Sequence, residues 1–168
     1  GSGLYIRSIK KKNYQIYERN QLLQQSIPTL ISNGETELVE FKSSLRYDYH
    51  QKKVNIILEK VILKSIAGFL NAKGGVLIIG VDDAGGVLGI EKDYLSLKKK
   101  NRDGFQQKIL QLVSSNFGND FCSKIHITIN EIDEKDVGVL HIEASKMPVY
   151  LNEENRTIFY LRAGNVTL

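Results

Sequence analysis

Apolar residues in the middle of the chain recur at helical spacing and predict two core helices. The first set ends before Gly74 and consists of Val54, Leu58, Val61, Ile62, Ser65, Ile66 and Phe69. The second ends before Gly118 and consists of Phe105, Ile109, Leu112, Val113 and Phe117. Residues three and four apart share one face of a helix, so each set predicts one buried face. The polar segment 4–33 carries a broken apolar stripe and predicts a further, N-terminal helix.

Other segments have the patterns of β-strands. Leu38–Lys42 is a short strand, and Gly75–Val81 is an unbroken apolar run, typical of a central strand buried on both faces. Further strands are predicted at 87–90, 125–129, 137–142, 147–150 and 158–162, and a polar, mobile loop is predicted at 43–53. The predicted fold is therefore α+β, a mixed β-sheet backed by two main helices, with an N-terminal helix in addition.

Length and composition indicate one globular domain. Of the 168 residues, 34–168 form the predicted domain and 1–33 an N-terminal helical extension, whose residues 1–3 resemble a tag remnant. The formal net charge of +4 permits a polyanionic partner without identifying one. The single cysteine excludes an internal disulfide and favours a cytoplasmic location. No apolar run is long enough to span a membrane, so no membrane partner is expected.

Three carboxylates are expected at one rim of the sheet. Glu40 lies on the first strand, Glu35 precedes it, and Asp82 follows the central strand. If they converge, their repulsion must be relieved by protons or a cation, and oxygen ligands of this kind suit Mg²⁺ or Mn²⁺. Such an ion activates water and neutralises a phosphate, and Lys42 would stand beside it. The spacing equally fits structural roles, in which Glu35 decorates the strand entrance and Asp82 caps a turn.

Basic and polar residues in loops and at strand ends are candidate contacts for a phosphate backbone. They are Lys42, Arg46, Lys73, Lys98, Lys99, Lys100, Arg162 and Asn165. Tyr47, Tyr49 and His50 lie beside Arg46, where they could stack on bases or form a flap over the core.

Several separated segments together resemble one known family. They are Glu35 with Glu40–Lys42, Phe69–Gly75, Ile79–Asp82, Gly86–Ile90 and Phe159–Thr167. In this combination residues 34–168 resemble the Schlafen-type AlbA-like domain. That family occurs in bacterial proteins described as DNA-binding domains or transcriptional regulators, and in animal Schlafen proteins.

The resemblance implies a domain that faces nucleic acid. In animal members that cleave transfer or ribosomal RNA, three carboxylates form the nuclease site, and they match Glu35, Glu40 and Asp82. Those members have two lobes around a cleft, whereas this chain has one, so a homodimer or a second C-terminal domain would be needed to enclose RNA.

The sequence thus predicts a nucleic-acid-binding module, the N-terminal part of a longer bacterial regulator or defence protein. Two alternatives stay open. One is an endoribonuclease that cleaves structured RNA with Mg²⁺ or Mn²⁺. The other is a protein-interaction module that binds no nucleic acid.

Overall fold

The computed structural model describes residues 2–168, except for the side chains of residues 15, 16, 18–21, 23 and 24. Gly1, the first residue of the predicted tag remnant, lies outside the described residues. The chain divides into two compact units, Gly1–Asn33 and Gly34–Leu168. No described helix is both long enough and apolar enough to cross a membrane.

The first unit contains two helices, α1 (Ser2–Gln24) and α2 (Ile27–Asn33). The segment expected to be helical is therefore helical, but it is interrupted. The interruption has a local cause, because the Ser26 hydroxyl accepts a hydrogen bond from the Thr29 amide at 3.3 Å. Serine is a preferred N-cap. Pro28 is tolerated in the first turn of α2 because a backbone N–H at that position would have no helical partner.

The second unit contains a four-stranded sheet, three short hairpins and the remaining helices. In chain order its elements are β1 (Val39–Lys42), β2 (Tyr47–Asp48), β3 (Lys53–Val54), α3 (Ile57–Leu70), β4 (Gly75–Ile79), α4 (Glu91–Tyr94), α5 (Arg102–Phe117), a 3₁₀ helix (Asn119–Lys124), β5 (Ile125–Ile132), β6 (Lys135–Ile142), β7 (Tyr150–Glu153), β8 (Arg156–Phe159), β9 (Arg162–Ala163) and β10 (Val166–Thr167).

The main sheet has the strand order β1-β4-β6-β5 and is mixed. β1 runs parallel to β4, with Val39 opposite Val76 and Lys42 opposite Ile79. β6 is antiparallel to both β4 and β5. Residues Val76 to Ile79 of β4 are buried, as expected of a central strand covered on both faces. The predicted mixed sheet, its central strand and the β5–β6 hairpin are confirmed.

The two predicted core helices, α3 and α5, pack their apolar faces into one hydrophobic core with the sheet. α5 begins after Asn101, whose side chain accepts a hydrogen bond from the Gly104 amide at 2.9 Å, and it ends before Gly118, which has a φ of 105°. An Asn N-cap and a glycine with positive φ are ordinary helix ends. The predicted second helix is confirmed.

The segment 43–53 differs from its prediction as a polar, mobile loop. It forms the hairpin β2–β3, and Leu45 within it is fully buried. The segment is held by Asp93, a partner that no local pattern could reveal because it lies on α4. The predicted strand at 87–90 is also wrong, since only a single bridge joins Val87 to Val81.

Asp136, at the start of β6, ties the sheet to the helices and provides a test of this packing. Its carboxylate accepts bonds from Arg102 Nε and Nη2 at 2.9 and 2.6 Å and from the Tyr94 hydroxyl at 2.7 Å. The Arg102 pair lowers the pKa of Asp136 below its usual value of 3.8. A carboxyl whose pKa is lowered on folding stabilises the fold above its unfolded pKa and loses that effect as the pH falls.

We expect Asp136→Asn to lower the thermal unfolding midpoint at neutral pH. The gap to the wild type should shrink as the pH falls below about 4 toward the lowered pKa of Asp136, because the unfolded chain takes up a proton there before the folded protein does. Circular dichroism melts across pH measure both effects. Asp133→Asn, which removes the same charge at an exposed turn residue, is the matched control. A gap of equal size at about pH 3 would contradict this account.

Candidate nucleic-acid interface

Four cationic side chains line an open groove beside α5. The groove has a volume of about 720 Å³ and is lined by Arg46, Leu97, Lys98, Lys99, Gly104, Gln107, Lys108 and Gln111. The last four lie on α5 at helical spacing and so share one face of the helix. Leu97 is buried and contributes an apolar wall. We call this surface the basic groove.

Positive charge exceeds negative charge along the basic groove. No carboxylate is among its lining residues. Lys99 pairs with Asp103 at 3.2 Å, and Lys108 with the buried Glu59 at 3.6 Å. Among the residues that the structure describes, Lys98 makes no ion pair, and Arg46 Nε is buried without a hydrogen-bond partner. The exposed ammonium of Lys98 is therefore available to an anion.

The position of Arg46 is fixed by a buried carboxylate behind it. Asp93 is 1% exposed, and its oxygens accept hydrogen bonds from the amides of Leu45 at 2.9 Å, Arg46 at 2.9 Å and Tyr47 at 3.0 Å. Burial raises the pKa of Asp93 above the ordinary value of 3.8, and these three amides act in the opposite direction. Three bonds to consecutive amides leave the backbone of this segment little freedom.

The opposite wall of the groove depends on a glycine. A Cβ on Gly104 would lie 1.7 Å from the carbonyl oxygen of Lys99, so no other residue allows the backbone of the segment before α5 to approach the helix so closely. This approach places Lys98 and Lys99 beside the face of α5 that carries Lys108.

The structure brings together only some of the predicted basic residues. Arg46, Lys98 and Lys99 share the groove, and Lys100 is exposed beside them in sequence. Lys73 lies elsewhere and pairs with Glu37 at 3.4 Å, while Asn165 is exposed in the turn between β9 and β10.

Lys108 is a groove residue that the sequence analysis missed. The signal that could have found it is the run of polar residues at helical spacing on α5 with Gln107 and Gln111. That run has the appearance of an ordinary solvated helix face.

Arg162, predicted to contact phosphate, lies inside the protein instead. The residue is 4% exposed, and its Nη2 donates to the carbonyl of Thr36 at 2.7 Å and of Val39 at 3.3 Å. Its guanidinium carbon lies 4.9 Å from the centre of the Phe69 ring. Its Nη1 lies 3.2 Å from Oε1 of Glu40. This geometry gives Arg162 a structural role in holding the entrance of β1.

The three predicted site carboxylates each have protein partners. Oε1 of Glu35 accepts a hydrogen bond from the Phe41 amide on the edge strand β1 at 3.0 Å. Glu40 is 7% exposed and pairs with Arg162 and, at 3.6 Å, with Lys42. Asp82 caps its own turn, because Oδ1 accepts from the amides of Ala84 at 3.0 Å and Gly86 at 2.7 Å.

In this structure each of the three carboxylates is engaged by groups of the protein itself. Within residues 2–168, less the side chains left undescribed, no three His, Cys, Asp or Glu residues form a group that could hold one. Glu40 in addition faces two cations, Arg162 and Lys42, which already neutralise it. The assignment of Glu35, Glu40 and Asp82 to Mg²⁺ or Mn²⁺, with Lys42 beside it, stays a prediction.

A mixed four-stranded sheet with two core helices and an adjacent basic groove defines a small α+β domain. The sequence model of the family described as Schlafen, AlbA_2 matches residues 35–167. The chain therefore belongs to this family, and the resemblance found in the sequence is confirmed.

Solved structures share the fold at low sequence identity. The crystal structure of the DIP2311 protein from Corynebacterium diphtheriae has a TM-score of 0.60 and 17% identity, covering 90% of this chain and 27% of that one. The solution structure of the N-terminal domain of a RecG-related protein from Nitrosomonas europaea, named as an ATP-dependent DNA helicase, has a TM-score of 0.54 and 15% identity, covering 83% of this chain and 88% of that one. At these identities the likeness establishes the fold alone. No curated protein matches the chain.

The buried pair of Arg162 and Glu40 yields a stability prediction. We expect Arg162→Met to lower the free energy of unfolding by about 3–5 kcal/mol, because it leaves the carboxylate of Glu40 buried and without its main partner. Urea unfolding followed by circular dichroism measures the change.

A double variant separates the lost ion pair from the lost packing. Glu40→Leu combined with Arg162→Met removes both charges, so we expect it to be more stable than Arg162→Met alone. A single variant as stable as the wild type would show that the pair does not support the fold.

Proposed function

We propose that this domain binds nucleic acid through the basic groove. The observation that carries the proposal is the set of four cations, Arg46, Lys98, Lys99 and Lys108, around one groove without a lining carboxylate. Lysine and arginine that neutralise phosphates release condensed counterions, which supplies sequence-independent affinity. The amides of Gln107 and Gln111 add uncharged donors for sugar or phosphate oxygens.

The comparisons support this proposal at the level of the family and the neighbours. One neighbour is the N-terminal domain of a protein named as a RecG-related DNA helicase. The chain spans about a quarter of the length of the Corynebacterium protein that it matches. We accordingly infer an N-terminal module of a longer bacterial regulator or defence protein, in which a second copy or a further domain would complete the enclosure of a nucleic acid.

Removal of groove charge should weaken binding in a salt-dependent manner. For Lys98→Ala with Lys99→Ala, the slope of log affinity against log salt concentration should become less negative by about 1.4 to 1.8. Each lost phosphate contact reduces the magnitude of this slope by about 0.7 to 0.9. Fluorescence anisotropy with labelled DNA and RNA at several potassium chloride concentrations measures the slope.

The matched control removes two positive charges outside the groove. Lys124→Ala with Lys146→Ala should leave the slope close to that of the wild type, because neither residue lines the groove. An equal effect of both double variants would show that only net charge matters. A wild-type affinity insensitive to salt would instead favour the protein-interaction alternative.

One observation favours the metal-dependent endoribonuclease as a second candidate. Oε2 of Glu40 is buried and accepts no hydrogen bond, and a bound cation would satisfy this oxygen. On this alternative we expect structured RNA to be cleaved only with Mg²⁺ or Mn²⁺. Asp82→Asn, which keeps an oxygen for the turn, should abolish cleavage and preserve binding. Intact RNA with either ion, bound by the wild type, would contradict the alternative.

A further inference from the structure

A second cavity lies on the other side of the segment that carries Arg46. It has a volume of about 270 Å³ and is lined by Lys42, Ser43, Ser44, Tyr47, Asp48, Tyr49, His50, Leu58, Val61 and Ile62. The last three come from α3 and give it an apolar side, while the segment 42–50 gives it aromatic, hydroxyl and cationic groups and the carboxylate of Asp48. We call this cavity the tyrosine pocket.

The aromatic side of the tyrosine pocket is held in place. The rings of Tyr47 and Tyr49 pack edge to face, with centres 5.0 Å apart and planes at 81°. Nζ of Lys92 lies 4.9 Å from the centre of the Tyr47 ring and 5.2 Å from that of Tyr49. Ring pairs and cation–π contacts of this kind each restrict side-chain motion. A ligand that packs on these rings would therefore have little ordering cost to overcome.

Size and chemistry select the occupant of the pocket. Cavities that hold drug-sized ligands start at roughly 300 Å³, so a cavity of 270 Å³ suits a smaller planar group. Aromatic edges and an apolar wall favour a flat ring, and the Lys42 ammonium with the hydroxyl of Ser43 can meet polar atoms at its rim. A nucleobase combines these properties.

The pocket and the basic groove are coupled by the segment between them. Arg46 lines the groove, whereas Ser44 and Tyr47, on either side of it in sequence, line the pocket. A strand with a phosphate on Arg46 could therefore turn an adjacent base toward the tyrosine rings. In a duplex the base is stacked and paired, and extracting it costs a few kcal/mol. An unpaired strand has no such cost.

We propose that the tyrosine pocket takes one unpaired nucleobase, so that the domain selects single-stranded segments of nucleic acid over duplex. This inference rests on the proposed function, because the phosphates are held by the basic groove. The proposed ligand is a single-stranded nucleic acid, which can be either RNA or DNA.

The test compares one labelled 12-nucleotide sequence as single-stranded RNA, single-stranded DNA and duplex DNA. For the wild type we expect at least one of the single strands to bind roughly tenfold more tightly than the duplex, as the stacking of one base on an aromatic side chain predicts. Tyr49→Leu should lose this preference for the single strand, and its affinity for the duplex should stay within about twofold of the wild-type value. Tyr49→Phe, which keeps the ring, should retain it.

Tyr150→Leu is the matched control. Tyr150 also belongs to a ring pair, with Phe159 at 5.8 Å, but it lines neither the groove nor the pocket. A strand that carries 2-aminopurine gives a second readout that needs no variant, since its fluorescence changes when the base leaves its neighbours and packs on a tyrosine. We expect a change with the wild type and none with Tyr49→Leu.

The outcomes separate this inference from the function on which it rests. If the wild type binds neither strand nor duplex, the proposed function itself fails. If it binds strand and duplex equally, or if Tyr49→Leu and Tyr150→Leu have the same effect, the basic groove stands and the base pocket is overturned. A preference for RNA over DNA, or the reverse, supports the pocket when it disappears in Tyr49→Leu.

Discussion

Both candidate binding surfaces depend on one buried interaction, the carboxylate of Asp93 with the amides of Leu45, Arg46 and Tyr47. A charge at 1% exposure is tolerable only when hydrogen bonds replace the lost water. The three amides in turn are donors that a hairpin of two-residue strands leaves without partners. The carboxylate and the amides thus satisfy each other's hydrogen bonds. The polar segment is held in place as a wall, with the groove on one side and the tyrosine pocket on the other.

The distribution of charge explains how a moderately basic protein acquires a basic groove. Several carboxylates are engaged inside or at the edges of the core: Glu40 with Arg162, Asp93 with amides, and Asp136 with Arg102. These three carboxylates are not available to neutralise the groove, where Asp103 and Glu59 pair with two of the four cations. A net charge of +4 over the whole chain is therefore compatible with a groove that has four cations and no lining carboxylate.

The sequence predicted the elements whose signals are local. The apolar run of β4 and the helical periods of α3 and α5 are each contained in one segment, and the structure has them. The role of Arg162 could not be predicted, because its burial depends on carbonyls of residues 36–39 at the opposite end of the domain. Asp93 was missed for the same reason. For the candidate site, the basic run at 98–100 was visible, but its combination with Arg46 and Lys108 is a product of packing.

The two surfaces would divide the work of recognition. Contacts with phosphates supply affinity and depend on salt, but they carry little information about sequence or strandedness. A pocket that admits a flat ring carries that information, because only an unpaired base can enter without first breaking a pair. Coupling them through a segment that is already ordered avoids the cost of ordering a loop on binding. A truly mobile loop at 43–53 would supply the same side chains, yet it could not hold Arg46 and Tyr47 on opposite sides of one wall. The buried carboxylate of Asp93 is thus what would turn a basic patch into a selective one.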